Sequence, residues 1–222
     1  MATTNWPLFD LEIRTADLTL RYPNDSDLMM LVDLAAEGVH DESFMPFSIP
    51  WTRIPVPDLQ RKALQFHWQC RAETSPTNFR LPLVALVEGA IVGTSELWAK
   101  EFATLRQFET GSWLGQAFQG RGIGTAMRRA TLALGFDGMG ATRALTGAWE
   151  DNAASIAVTR KLGYVEQGHR WDVREGVATQ LLGFEMEREQ YDRVRPSDVE
   201  FIGLDGVREF LEIEATTRVV GC

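Results

Sequence analysis

The stretch that most constrains the fold of this chain covers residues 109–130, with the sequence ETGSWLGQAFQGRGIGTAMRRA. Its first third predicts a strand that ends at Gly115, and the glycines at positions 120, 122 and 124 predict a turn. A helix should follow, because apolar residues recur there at helical spacing: Ile123, Met127, Ala130 and Leu134. Arg128 and Arg129 are expected to point away from that apolar face.

A strand, a glycine-rich turn and a helix N-terminus together predict an anion-binding site. The first N–H groups of a helix have no partner within it, and glycines let a phosphate approach the backbone. A P-loop would need a Lys-Ser or Lys-Thr pair, which this turn lacks. The dinucleotide fingerprint G-x-G-x-x-G would need its third glycine one residue later than Gly124. The pattern [Q/R]-x-x-G-x-[G/A] is matched by Gln119, Gly122 and Gly124.

This last pattern resembles the phosphate loop of the GNAT superfamily of CoA-dependent N-acyltransferases. Two further segments carry the resemblance, in the right order and at the right spacing. Residues 109–114, ETGSWL, resemble the E-x-G-x-W-[LV] strand of ribosomal-protein N-terminal acetyltransferases, the RimJ/RimL-like group. Residues 152–164 contain N-x-x-S and K-L-G-Y, which resemble the N-x-x-[SA]…[KR]-L-G-[FY] segment of this family. The resemblance covers roughly residues 11–187, most of the chain.

The resemblance implies an α/β fold of the GNAT type, with a mixed, mostly antiparallel, twisted sheet of about seven strands and about four flanking helices. The residue patterns predict strands at 18–22, 78–87, 90–99, 109–114, 143–149, 164–173 and 178–187. They predict helices that start near residue 25, at 58–73, at 121–136 and near residue 152. We expect a loose arm at 1–10, the acyltransferase domain at 11–189, and an appendix at 190–222 that is docked or mobile.

The resemblance also implies acetyl-CoA, or another acyl-CoA, as the co-substrate, and no metal. The residues expected to bind it are Trp113, Leu114, Gln119, Gly120, Arg121, Gly122, Ile123, Gly124, Thr125, Asn152 and Ser155. Backbone N–H groups of residues 114–116 would hold the pantetheine arm and the oxyanion. Because CoA is anionic, its site must be locally positive, and Arg121, Arg128 and Arg129 are the cations available.

An amine that attacks a thioester must be neutral, and the leaving thiolate needs an acid. Glu109 is the first candidate base, directly or through water, since the resemblance places a glutamate on this strand. Ser155 matches the acid proposed for ribosomal-protein N-acetyltransferases, and Tyr164 is an alternative acid. Many relatives carry a tyrosine seven residues after the motif asparagine, where this chain has Thr159. For Glu109, Ser155 and Tyr164 alike, a purely structural role is the competing interpretation.

The acceptor is expected to be a primary amine of a peptide N-terminus or a small molecule. The proline-rich loop 38–57 is where the resembled fold builds its acceptor pocket, and the candidates there are His40, Glu42, Phe44 and Trp51. A net charge of −9 suits a cationic acceptor and argues against nucleic acid as a partner.

Three observations bear on location and partners. No apolar run approaches ~20 residues, so no membrane partner is expected. The two cysteines, Cys70 and Cys222, make no disulfide framework, which favours a cytoplasmic protein. Dimers are common in the resembled group, so a homodimer stays open. Three other functions stay open too: a succinyl-CoA donor, a CoA-binding sensor without catalysis (favoured by Thr159) and, more distantly, a nucleotide-dependent oxidoreductase.

Overall fold

Nine strands form one sheet in the computed structural model, which describes residues 5–214. The strands are β1 Glu12–Arg14, β2 Thr19–Arg21, β3 Asn78–Val87, β4 Ala90–Lys100, β5 Gln107–Leu114, β6 Arg143–Trp149, β7 Val165–Arg174, β8 Val177–Glu187 and β9 Glu200–Ile202. Their order across the sheet is β7-β8-β6-β5-β4-β3-β2-β1-β9. Every neighbouring pair is antiparallel except β5 and β6, which are parallel.

Seven helices accompany the sheet within the described residues. They are α1 Asp25–Glu37, α2 Asp58–Glu73, α3 Phe102–Leu105, α4 Ile123–Ala133, α5 Ala153–Lys161, α6 Arg188–Val194 and α7 Leu204–Phe210. The mixed, mostly antiparallel α/β architecture confirms the expected fold class. The strand count exceeds the expected seven because β1 and β9 have three residues each, which is too short for a recognisable alternation.

The local sequence explains how the helices near the site begin. Asn24 caps α1: its side chain accepts from the N–H of Asp27, and the Asp27 side chain accepts from the N–H of Asn24 in return. The Asn152 side chain caps α5 by accepting from the N–H of Ser155 at 3.1 Å. Gly122, with φ +82°, precedes α4, which therefore starts two residues later than expected.

The two faces of β5 point into different layers. Phe108 and Leu114 belong to the main core together with Met127 of α4. Trp113, on the opposite face, packs against the cluster formed by Leu28 and Leu31 of α1. Period-two alternation along β5 therefore directs even-numbered residues toward α4 and odd-numbered residues toward α1 and α2.

The two ends of the described chain meet at the β1 edge of the sheet. Leu8 is fully buried, and the Trp6 ring lies 5.1 Å from that of Phe210 in α7. Residues 6–8 are thus packed rather than loose, because Leu8 is buried and Trp6 and Pro7 lie against α7, whereas Phe9 stays exposed. The strand β9 pairs with β1 at the same edge. Residues 1–4 of the expected arm, and residues 215–222 of the expected appendix with Cys222, lie outside the described residues. None of the described helices is both long enough and apolar enough to cross a membrane.

Candidate active site

A gap opens in the middle of the sheet between β5 and β6. The two strands pair over three residues only, and the last pair is Glu109 with Leu145. Beyond it β5 continues to Leu114 beside β4, and β6 continues to Trp149 beside β8. Each strand keeps its outer neighbour, so the parallel ladder splits into a V-shaped opening.

Backbone donors line the β5 side of this opening. The N–H of Gly115 donates to Val92 of β4 at 3.0 Å, so alternate, odd-numbered residues of β5 bond to β4. The N–H groups of Ser112 and Leu114 consequently point toward the strand that has moved away. The expectation that residues 115 and 116 also donate there is wrong, because the N–H of Gln116 is taken by the Gly38 carbonyl at 3.0 Å.

The start of α4 forms the outer end of the opening. Gly120 and Gly122 have φ of +73° and +82°, and a Cβ added at either position would meet no atom within 4 Å. Among the described residues, no backbone carbonyl accepts from the N–H groups of residues 120–124, and such bonds resume at Thr125. Five free N–H groups at a helix N-terminus form a cradle that fits a pyrophosphate.

A buried polar network closes the inner end of the opening. The Thr146 hydroxyl donates to the Thr110 carbonyl at 3.0 Å, just past the last strand pair. The Tyr164 hydroxyl lies 3.2 Å from the Thr110 hydroxyl, and burial raises the pKa of Tyr164. Arg128 of α4 donates to the Thr159 hydroxyl at 2.7 Å, and its guanidinium lies 5.6 Å from the Tyr164 ring centroid.

Carboxylates and glycines occupy the face of the sheet opposite α4, on the side of α1 and α2. One row across the strands contains Trp98, Glu109, Leu145 and Glu185. The next row has Glu96 beside Gly111, then the opening, then three glycines: Gly147, Gly183 and Gly168. Burial raises the pKa values of Glu96 and Glu185, although Arg80 and Arg143 respectively oppose the shift.

The loop between α1 and α2 forms one wall above this face. The Trp51 ring lies 5.8 Å from that of Trp113 of β5, tilted by 47° to it, and the Phe47 ring lies 5.2 Å from that of Trp51. His40 lies 5.8 Å from Phe47, and both of its ring nitrogens have partners, the Asp41 carbonyl at 2.8 Å and the Thr52 hydroxyl at 2.7 Å. His40 therefore holds the shape of the loop.

Two arginines fasten that loop to the β7–β8 turn. Arg174 donates to both carboxylate oxygens of Asp151, at 2.7 and 2.6 Å, and lies over the rings of Trp149 and Phe44. The Arg174 side chain also reaches the Met45 carbonyl at 3.4 Å. Arg53 pairs with Glu175 at 2.9 Å and donates to the Glu42 carbonyl at 2.6 Å. The wall is therefore closed on the side of the β7–β8 turn.

Comparison with known proteins identifies this arrangement. The family model of the acetyltransferase (GNAT) domain matches residues 17–165, about two thirds of the chain. The chain belongs to the GNAT acetyltransferase family. It is therefore a CoA-dependent N-acetyltransferase, as the resemblance implied.

Solved structures share this GNAT fold at low sequence identity. Mycobacterium smegmatis RimJ in complex with CoA-disulfide is 20% identical, with a TM-score of 0.70, and the match covers 91% of this chain and 95% of that one. RimL, a ribosomal L7/L12 alpha-N-protein acetyltransferase in complex with CoA, is 16% identical over 79% and 97%, with a TM-score of 0.64. The microcin C7 self-immunity acetyltransferase MccE, in complex with acetyl-CoA and AMP, is 20% identical over 78% and 93%, with a TM-score of 0.59.

Several residues expected from the GNAT motifs serve the scaffold of the site. The Gln119 side chain donates to the carbonyls of Val39 and Leu114, at 2.6 and 3.0 Å, and so ties the loop between α1 and α2 to β5. Asn152 orients α5, which sets Ser155 one helical turn before Thr159 and on the same side. Glu109 is exposed on the face of the sheet toward α1 and α2, whereas Tyr164 is buried on the α4 face.

The prediction that Arg128 points away from the apolar face of its helix is wrong, and Glu96 and Arg174 were not among the expected site residues. Arg128 is 5% exposed, because it faces β6 and α5, whereas Arg129 is exposed as expected. The one signal for Arg128 was its spacing of four residues from Gly124 and from the buried Leu132. Nothing in the strand pattern around Glu96 could have shown that it lies beside Gly111. Within the described residues no group of three or more His, Cys, Asp or Glu side chains could hold a metal.

Proposed function

We propose that the protein transfers an acetyl group from acetyl-CoA to the primary amine of a peptide N-terminus or a small molecule, by direct attack on the thioester. The observation that carries this proposal is the parting of β5 and β6 after Glu109 and Leu145, beside the free N–H groups that begin α4. The opening admits a narrow chain, and its outer end offers an anion site.

The dimensions of the opening fit the pantetheine arm. From Leu114 to Thr110 the strand advances four residues, or about 13 Å at ~3.3 Å per residue. With the pyrophosphate at residues 120–124, an extended arm would bring the sulfur near Thr110 and Thr146. The thioester carbonyl would then face the glycines that flank the opening, Gly111 and Gly147. The N–H groups of Ser112 and Leu114 are the candidates for holding the arm and the oxyanion.

The face of the sheet toward α1 and α2, which we call the acceptor face, suits an amine. Glu96, Glu109 and Glu185 surround the glycine row, while Trp51 and Trp113 supply an apolar wall. Removing a proton at pH 7 costs about 1 kcal/mol for an α-amine near pKa ~7.7, against about 4.6 kcal/mol for a lysine-like amine. An exposed glutamate such as Glu109 therefore suffices more readily for a peptide N-terminus.

The proposed reaction moves two protons. The amine nitrogen attacks the carbonyl carbon, a C–N bond forms, and Glu109 takes the amine proton directly or through water. The C–S bond then breaks with its electron pair on sulfur, and the thiolate takes a proton from Tyr164 or Ser155. Tyr164 has the better position of the two, since its hydroxyl lies at the closed end of the opening.

The first experiment is thiol release from acetyl-CoA and from succinyl-CoA, with a panel of peptides and small amines whose products are weighed. We expect a mass gain of one acetyl group on one amine class. Transfer from succinyl-CoA alone would correct the donor. Tight CoA binding with no product on any amine would instead support a CoA-binding sensor. We also propose a cytoplasmic location and a homodimer. Light scattering of the full chain tests the homodimer.

A further inference from the structure

Arg128 is a buried cation without an acidic partner. Its side chain lies between α4, β6, α5 and the first residue before β7. The groups that face its guanidinium are the hydroxyls of Thr159 and Thr146, at 2.7 and 3.5 Å, and the ring of Tyr164. Tyr164 is the one titratable group among them. Within residues 5–214 no Asp or Glu forms an ion pair with Arg128, whereas arginines elsewhere in the structure have one, such as Arg143 with Glu185 on the opposite face of the sheet.

Such an arrangement is unfavourable unless an anion completes it. A charge taken out of water loses hydration that hydroxyl groups replace only in part, so buried charges are normally paired. Burial also lowers the pKa of Arg128, although a guanidinium remains charged at neutral pH. The three hydroxyl groups around it carry no negative charge. The missing partner is therefore expected to be an anion that occupies the site only during the reaction.

The position of Arg128 indicates which anion this is. It follows Gly122 by six residues, so its backbone lies about 9 Å along α4 from the phosphate cradle at 1.5 Å per residue. Its side chain reaches Thr146 at the closed end of the opening, where the sulfur end of an arm about 13 Å long would lie. The pyrophosphate would be held at the other end. The sulfur, which becomes a thiolate when the C–S bond breaks, is the nearest negative charge.

We propose that Arg128 is a further catalytic residue, whose guanidinium stabilises the CoA thiolate as it leaves. This proposal rests on the proposed function. When the tetrahedral species collapses, the C–S electron pair moves to sulfur, and Arg128 stays protonated and balances the new charge. Tyr164 or Ser155 then supplies the proton that completes the thiol. Arg128 would thus serve the leaving group from a position beside Thr159, where many relatives carry a tyrosine.

The test measures the thiol of bound CoA rather than turnover. The ultraviolet absorbance of the thiolate is followed during a pH titration of CoA bound to the wild type, Arg128→Met and Arg128→Lys. Lys161→Met is the matched control, since it removes an exposed cation from α5, the helix that carries Thr159. Binding of desulfo-CoA, which lacks the thiol, shows in parallel that the rest of the site is intact. Methionine in place of an unpaired buried charge should not unfold the protein.

In the wild type we expect the thiol pKa of bound CoA to fall by about one unit or more, a tenfold or larger shift in the equilibrium. Arg128→Met should abolish this shift, Arg128→Lys should keep part of it, and Lys161→Met should keep all of it. Desulfo-CoA should bind all four proteins alike. An unshifted thiol in the wild type, or an equal shift in Arg128→Met, would overturn the role of Arg128 alone. Failure of both CoA and desulfo-CoA to bind the wild type would overturn the proposed function as well.

Discussion

The ion pair between Arg174 and Asp151 should anchor the acceptor wall, and a double-mutant cycle can measure this. Asp151→Asn keeps the shape of the carboxylate, and Arg174→Met keeps an apolar stem over Trp149 and Phe44. The two single variants and the double variant remove the ion pair with little change in volume. The cycle therefore isolates the coupling between the two charges.

The structure sets the size of the coupling. Two charge-assisted hydrogen bonds of 2.6 and 2.7 Å join the side chains in a bidentate pair. The Arg174 side chain is 16% exposed and that of Asp151 is 47% exposed, so water screens the pair in part. We expect a coupling free energy of about 1 kcal/mol, at the upper end of the range for exposed pairs. Arg174→Met alone should cost about 1–2 kcal/mol, because the bond to the Met45 carbonyl and the ring contacts are weakened too.

The assay is urea unfolding of the four proteins at pH 7, with acceptor KM and CoA affinity measured on each. Arg174→Met should raise the acceptor KM and leave CoA affinity unchanged, because Arg174 anchors the loop above the acceptor face and not the phosphate cradle. Arg174 lowers the pKa of Asp151. The coupling should therefore be complete above the ordinary carboxyl pKa and disappear as the pH falls through the lower folded-state pKa.

The control is the pair of Arg170 and Asp172 on β7, which lie 3.3 Å apart with side chains 70% and 41% exposed. The same cycle on this pair should give a coupling near zero. A coupling for Arg174 and Asp151 as small as the control, together with an unchanged acceptor KM, would refute the anchoring role.

Three further predictions concern the base, the glycine row of the acceptor face and a buried histidine. Glu109→Gln should lower kcat by about 100-fold and flatten its rise with pH, whereas a normal rate in that variant would transfer the role to Glu96. Gly147→Val should raise the acceptor KM by about tenfold without weakening CoA binding. A Cβ at this position meets nothing nearer than 3.5 Å and enters the space beside the opening. A parallel loss of CoA binding would contradict this. Burial lowers the pKa of His67 from 6.5 to about 4. Because folding keeps this imidazole neutral, the free energy of unfolding should fall by roughly 3 kcal/mol as the pH drops from 6.5 to 4. In urea titrations His67→Gln should remove that part of the dependence on pH. An unchanged dependence in the variant would show that His67 is not the cause.

Local patterns in the sequence were sufficient for most elements and for the phosphate cradle. The strand β6 and the helix α2 lie where alternation and helical spacing placed them, Arg143–Trp149 and Asp58–Glu73. The cradle was predictable because its donors are backbone N–H groups of consecutive residues, which a glycine-rich turn before a helix exposes wherever it occurs. Family membership followed from three short segments in order.

The sequence by itself therefore determined the fold class and the exposed N–H groups at the start of α4, since both depend on residues close together in the chain. Tertiary structure decided which charges face the reaction. Arg128 became a buried, unpaired cation only because β6 and α5 close over it. Glu96 came to lie beside Gly111 only through the register of β4 with β5. Such neighbours arise from contacts between distant segments, and helical or strand periodicity carries no information about which segments will meet.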